Sequence, residues 1–233
     1  MNENFLHIGY HKTGTSWMQK FLFPEIFGKN FLGKPFKDYN ENNWSFLELM
    51  GKEGGKAASN EWIMKQETSI DNLSSILKDK LTNTKIIISI RRQKELLLSR
   101  FLHKPIERFK IWDVDLESCL FKPSKLTKSR KYVSIPLYWY YNFAETYRLF
   151  SEKFGGENVH FIVYENLFQQ PCDEIERLLC FLNKDIGNSK KKYIEKNTNQ
   201  TINTKKNHLK SPTSQRWDKE GEEYKQDVLL MIQ

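Results

Sequence analysis

The chain has 233 residues, 39% of them hydrophobic and 28% charged, with 37 Lys and Arg against 29 Asp and Glu for a net charge of +8. So many large apolar groups, 16 Phe, 10 Tyr and 6 Trp among them, exclude a disordered chain, and the length suits one domain with a full core. No apolar run reaches the ~20 residues of a membrane-spanning helix, and Met1 to Phe5 lacks the basic-then-apolar layout of a secretory signal.

These features set the expectation of a cytoplasmic protein with no transmembrane segment and a single domain over residues 1–233. Cys119, Cys172 and Cys180 form no C-x-x-C pair, so they are expected to be reduced and buried. The positive charge favours an anionic partner. Lys and Arg are spread along the chain instead of forming a stripe interleaved with aromatics, so no nucleic acid is expected as that partner.

In chain order, Phe5–Gly9 is a short apolar run ending in glycine and predicts a strand. Thr15–Phe23 pairs Trp17 with Phe21 and Met18 with Leu22 at helical spacing and predicts a helix, which Pro24 punctuates. Gly28–Gly55, rich in Gly, Asn and Lys, reads as mostly loop. Ile70, Leu73, Ile76, Leu77 and Leu81 share a helical face that feeds Lys85–Ile90, a β-branched run with the character of a buried parallel strand. Helices follow over Gln93–His103 and over Pro136–Phe154, the latter with Gly155 and Gly156 at its end. Asn158–Tyr164 predicts a third strand, Pro171–Leu182 another helix, Asn188–Ser211 a solvated basic polar loop, and the region of Trp217–Ile232 a last helix. This alternation is the pattern of an α/β fold with a parallel sheet. Within the first strand, His7 alternates against Leu6 and Ile8 and is expected to be hydrogen-bonded in or near the core, with no neighbour to complete a metal site.

The loop after the first strand reads Gly9-Tyr10-His11-Lys12-Thr13-Gly14-Thr15-Ser16. It has the glycine spacing of a Walker A loop, but threonine stands where the lysine belongs and Lys12 sits three places earlier. The parts still converge on a phosphate: glycines let N–H groups turn inward, a helix N-terminus at Thr15 and Ser16 supplies orphan donors, and Lys12 supplies charge. The buried strand runs into Arg91 and Arg92, with Ser99 eight positions after Arg91. A Walker-type kinase would end such a strand in an aspartate for Mg²⁺. Arginine there calls for an anion, and because ligands bind beyond the carboxyl ends of strands, Arg91 is expected in the same crevice as the loop.

With both segments read, the sequence resembles the PAPS-dependent sulfotransferases. His7 to Gln19 matches the family's G-x-x-K-[ST]-G-[ST]-[ST] loop for the 5′-phosphosulfate, and Arg91 to Ser99 matches its R-x-x-x-x-x-x-x-S segment for the 3′-phosphate. Tyr164-Glu165-Asn166-Leu167 looks like the family's Y-E-[DN]-L segment. Many members carry proline at the position of His11, and the late R-K-G loop of some cytosolic members has no counterpart here. Lys190-Lys191-Lys192 reads instead as a solvated charge run.

The resemblance implies a three-layer α/β/α fold with a central parallel sheet. It also implies transfer of a sulfuryl group from PAPS, as co-substrate and without a required metal, to a hydroxyl or amine of a small-molecule or glycan acceptor. Lys12, Thr13, Gly14, Thr15 and Ser16 would hold the 5′ end of the nucleotide, Arg91 and Ser99 its 3′-phosphate, and Lys12 would also stabilise charge in the transfer. Glu61, His103 and His11 are the candidate bases, with Glu61 where resembling bacterial and glycan-modifying enzymes place a catalytic glutamate. A deviant nucleotide kinase and a non-catalytic module for anionic ligands are the competing readings.

Overall fold

The computed structural model describes residues 3–10, 12–33, 45–61, 63–65, 69–93, 96 and 142–209. Strand β1 (Asn4–Gly9) leads through a loop into helix α1 (Thr15–Trp17), a π turn (Met18–Leu22) and α2 (Phe23–Phe27). Then come α3 (Ser45–Glu53), β2 (Ala57–Ser59), α4 (Ile70–Lys80) and β3 (Thr84–Ile90). Helix α5 (Phe143–Phe154), β4 (Val159–Val163), α6 (Tyr164–Gln169), α7 (Pro171–Leu182) and α8 (Gly187–Leu209) complete the described chain.

The four strands form one parallel sheet in the order β2-β1-β3-β4. Successive side chains of a strand point to opposite faces, and here both faces are covered. Leu6, Ile8, Ile86 and Ile88 join Leu47, Met50, Leu73, Leu77 and Phe150, from α3, α4 and α5, in one core. Phe5, Ile87 and Ile162 join Met18, Phe23, Leu167, Ile175, Leu179 and Ile194, from the helices after β1 and β4, in the other. The result is the expected three-layer α/β/α arrangement. The chain leaves β1 toward β2 on one side and β3 toward β4 on the other, so the adjacent ends of β1 and β3 are the switch point where such sheets open a crevice.

Local signals account for the element ends. Phe23 donates its N–H to the Met18 carbonyl five residues back, so the helix widens by one residue just before Pro24, which has no N–H to donate. Pro24 therefore does not end the helix, which runs on to Phe27. Ser69 Oγ caps α4 by accepting from Asn72 N–H at 3.1 Å, and Asn142 Oδ1 caps α5 by accepting from Glu145 N–H at 3.1 Å. That cap opens the aromatic helix at Phe143; residues 136–141, over which it was also expected, lie outside the described residues. It ends at Gly155, as expected, where φ is +90°.

Several expectations are corrected. The stretch from Gly28 to Gly55 contains α3, whose Leu47 and Met50 are fully buried. The three-residue β2 has too little apolar pattern, Ala-Ala-Ser, to announce a strand, and it pairs because β1 needs a neighbour on that side. The polar loop expected over 188–211 is helix α8 through Leu209. Ile194 anchors it, buried in the core, and one turn later Thr198 is also buried, donating its hydroxyl to the Ile194 carbonyl at 2.9 Å. Cys172 and Cys180 are free and exposed rather than buried: Cys180 lies on α7 away from its inward Ile175, Leu178, Leu179 and Leu182, and Cys172 lies in its first turn. Apart from Gln93 and Leu96, the helices expected over Gln93–His103 and Trp217–Ile232 lie outside the described residues, as does Cys119.

His7 is buried in the sheet, with Nδ1 2.7 Å from Ser59 Oγ and its ring 4.8 Å from that of Phe23. Burial pushes its pKa from 6.5 down to about 3. Between those values the unfolded chain binds a proton that the folded chain does not, so stability falls as pH drops through this window, by at most about 1.4 kcal/mol per pH unit. Melting temperatures of wild type and His7→Gln, followed from neutral pH down toward 4, are expected to converge as the wild type loses this extra increment. Parallel curves would show that His7 carries no such linkage.

Candidate active site

The crevice at the ends of β1 and β3 is built around Gly9. The register pairs Gly9 with Ser89, and a Cβ on Gly9 would lie 2.5 Å from Thr15 Oγ1 and 2.6 Å from Ser89 Oγ. Only glycine leaves room for the two hydroxyls to meet over the strand end. Thr13, fully buried, donates its hydroxyl to the Tyr10 carbonyl at 2.5 Å and lies 2.7 Å from Ser89 Oγ and 3.5 Å from Thr15 Oγ1. A hydroxyl carries one hydrogen, so Ser89 is the donor in the second contact. These bonds tie the loop to β3.

On either side of Thr13 the backbone is left-handed, with φ of +69° at Lys12 and +82° at Gly14. Glycine takes this conformation freely, whereas at Lys12 it costs roughly 1–2 kcal/mol. Backbone of this kind gathers successive N–H groups into an anion-binding concavity. The Gly14 carbonyl accepts from Trp17 and Met18 N–H at 2.9 and 3.1 Å. No side chain caps this helix start, and the first N–H groups of a helix have no partner within it.

Arg91 comes directly off β3 and meets this loop. Its Nη1 donates to the Lys12 carbonyl at 3.3 Å, and its guanidinium carbon lies 4.4 Å from the centre of the Tyr164 ring, within cation–π range. Its Nε is 3.7 Å from Glu165 Oε1, too far for a hydrogen bond, and is buried without one.

Glu61 reaches the same place from β2. Asn60 donates its backbone N–H to the His7 carbonyl at 2.9 Å, and Gln19 Nε2 donates to Ser59 Oγ and O at 3.0 and 3.2 Å. The chain is thereby led past the end of β1 toward the loop. Burial lowers the pKa of Lys12, Glu61 opposes that, and Arg91 adds to it. Lys12 thus feels both a carboxylate and a second cation.

Of the residues singled out in the sequence, the structure brings together Lys12, Thr13, Gly14, Thr15, Arg91 and Glu61. Thr15 is buried with its hydroxyl turned under the loop, and Ser16 is exposed beside it. His11, Ser99 and His103 lie outside the described residues. Two residues have roles that the sequence does not reveal. Ser89, which locks Thr13, is visible only as the single hydroxyl in an otherwise apolar strand core. Glu165 stands out only as part of Tyr164-Glu165-Asn166-Leu167, and its contacts with Arg91 and Arg92, which span more than seventy positions, carry no local signal. Among the described residues no group of three or more His, Cys, Asp and Glu could hold a metal ion, and no helix is long and apolar enough to cross a membrane.

The family model of the sulfotransferase domain matches residues 2–228. Among solved structures, the chain is similar to a sulfotransferase from Alicyclobacillus acidocaldarius, at 17% identity and a TM-score of 0.54 over 81% of this chain and 83% of that one. It is also similar to mouse sulfotransferase SULT7A1 complexed with PAP, at 19% identity and a TM-score of 0.54 over 84% of this chain and 64% of the mouse protein. No curated protein matches the sequence. The chain belongs to the sulfotransferase family.

Gly9→Ala is expected to force Thr15 and Ser89 apart, with a loss of about 1–3 kcal/mol typical of overpacking. Denaturant unfolding of wild type and variant measures it, and an unchanged midpoint would show that the loop yields freely.

Proposed function

Taking that family membership as the premise, we propose that the chain transfers a sulfuryl group from 3′-phosphoadenosine 5′-phosphosulfate to a hydroxyl or amine of a carbohydrate or small-molecule acceptor. The observation that carries this reading is the contact of Arg91 with the backbone of Lys12. Two cations on strand ends that are neighbours in the sheet lie so close that Arg91 depresses the pKa of Lys12. An anion with charge at two separated points relieves that repulsion, and a nucleotide phosphorylated at both 3′ and 5′ positions is such an anion. The mouse relative was solved with PAP, which supports the same choice of ligand.

Each residue then has a physical task. The curled backbone from Lys12 to Gly14 and the helix start at Thr15 and Ser16 suit the 5′-phosphate. The planar fork of Arg91 suits the 3′-phosphate, with Ser99 as the companion that the sequence spacing suggests. In sulfuryl transfer, negative charge grows on the bridging oxygen as its bond to sulfur breaks. Lys12 would stabilise that charge, and its partial burial strengthens the interaction. Glu61, whose field already reaches Lys12, is the first candidate to take the acceptor's proton, ahead of His11 and His103. The kinase reading is opposed by two observations: arginine follows directly on β3, and the carboxylate after β4, Glu165, is turned onto the Arg92 amide.

Calorimetry with adenosine 3′,5′-bisphosphate is expected to show binding to wild type and a loss of roughly 10- to 100-fold in Arg91→Ala. No binding to wild type, or unchanged affinity in Arg91→Ala, would overturn the assignment. Lys12→Ala is expected to lower the transfer rate by about 10²- to 10³-fold, on the scale of one lost charge-stabilising donor. For the base, Glu61→Gln should reduce kcat/KM by about 10²- to 10⁴-fold and remove the acidic limb of its pH profile. If Glu61→Gln leaves the profile intact and His11→Ala or His103→Ala alters it, the proton goes to that histidine instead.

A further inference from the structure

One buried carboxylate at the site has no part in the chemistry above. Glu165, at the start of α6, is 8% exposed, and both its oxygens accept from the backbone N–H of Arg92, at 3.3 and 3.2 Å. The last β3–β4 pair is Ile90 with Val163, so Arg92 lies beyond the ladder and its N–H needs an acceptor from elsewhere. The same carboxylate carries the charge 3.7 Å from Arg91 Nε. It therefore holds the backbone on one side of Arg91 and faces the near end of its guanidinium.

We propose that Glu165 is a positioning residue for Arg91, holding the guanidinium edge-on to the crevice so that the nucleotide's 3′-phosphate is recognised. The inference rests on the reading of Arg91 as the 3′-phosphate ligand. The Tyr164 ring covers one face of the guanidinium at 4.4 Å, the Lys12 carbonyl takes Nη1 at 3.3 Å, and Glu165 confronts Nε at 3.7 Å. Stacked on a ring, bonded at Nη1 and faced by a carboxylate at Nε, the fork has no partner at Nη2 among the described residues. An arginine without these supports loses rotamer freedom when it binds an anion. With them, part of that ordering is complete before the ligand arrives. Glu165 also offsets charge that would otherwise set Arg91 against Lys12. Because the pair is partly buried, the carboxylate acts on Arg91 and is not averaged away by solvent.

The test compares adenosine 3′,5′-bisphosphate with adenosine 5′-monophosphate, which differ only in the phosphate that Arg91 would read. Their dissociation constants are measured for wild type, Arg91→Ala, Glu165→Gln, Glu165→Asp and the Arg91→Ala/Glu165→Gln double variant. Glu165→Gln keeps an acceptor for Arg92 N–H but removes the charge. It is expected to cut the preference for the bisphosphate by roughly tenfold while leaving monophosphate affinity unchanged. Glu165→Asp should recover part of the preference, and the double variant should be no worse than Arg91→Ala alone. A residue that merely supports the fold would lower both affinities together. Equal loss of both nucleotides, an intact preference in Glu165→Gln, or additive losses in the double variant would each overturn the proposal. A wild type that does not distinguish the two nucleotides would instead sink the assignment of Arg91, a separate and recognisable outcome.

Discussion

The room at Gly9 is the constraint on which the site depends. Two parallel strands end side by side there, and the absence of a Cβ allows the hydroxyls of Thr15 and Ser89 to occupy the space above the backbone. Thr13 closes the arrangement through Ser89 and the Tyr10 carbonyl. The loop is consequently fastened to β3 as well as to its own strand, and Arg91, two residues beyond Ser89, inherits a fixed distance from Lys12. A wider side chain at this one position would disturb the geometry on both strands.

Each cation at the site has a carboxylate acting on it: the charge of Glu61 acts on Lys12, and Glu165 lies 3.7 Å from Arg91 Nε. Each cation has one acidic neighbour and one like-charged neighbour, so an anion is attracted to the space between them. Glu165 is occupied by Arg91 and Arg92, while Glu61 acts on the lysine at the loop. The two carboxylates are therefore unequal: Glu165 is committed to the Arg92 amide, while Glu61 acts on the charge of Lys12.

A second buried carboxylate repeats the structural device one strand further on. Glu174 of α7, almost wholly buried, accepts from Val163 N–H at 2.9 Å and pairs with Arg177. Buried acids thus satisfy backbone donors at the carboxyl end of β4 and just past that of β3, where the ladder stops and N–H groups would otherwise be stranded. This explains why the segment after β4 carries two glutamates that are not solvated. It also ties α6 and α7 to the edge of the crevice, so that Tyr164 is held where it can stack on Arg91.

Local patterns determined the α/β class and most of the elements: the oligo-isoleucine of β3, the aliphatic face of α4, the aromatic face of α5, and the glycine-flanked loop with Lys12. Such features are legible because periodicity and turn chemistry act over a few neighbouring residues. Helix α8 is not legible because its sequence, mostly Lys, Asn and Thr, shows little apolar periodicity, and β2 because three small residues carry no pattern of their own. The loop and Arg91 could each be recognised as suited to phosphate from their immediate surroundings. Their junction through the Lys12 carbonyl, the arrival of Glu61 beside Lys12, and the grip of Glu165 on Arg91 and Arg92 were decided by the tertiary structure alone. Those contacts join residues brought together only by strand order in the sheet, and no local sequence pattern encodes which strand ends become neighbours.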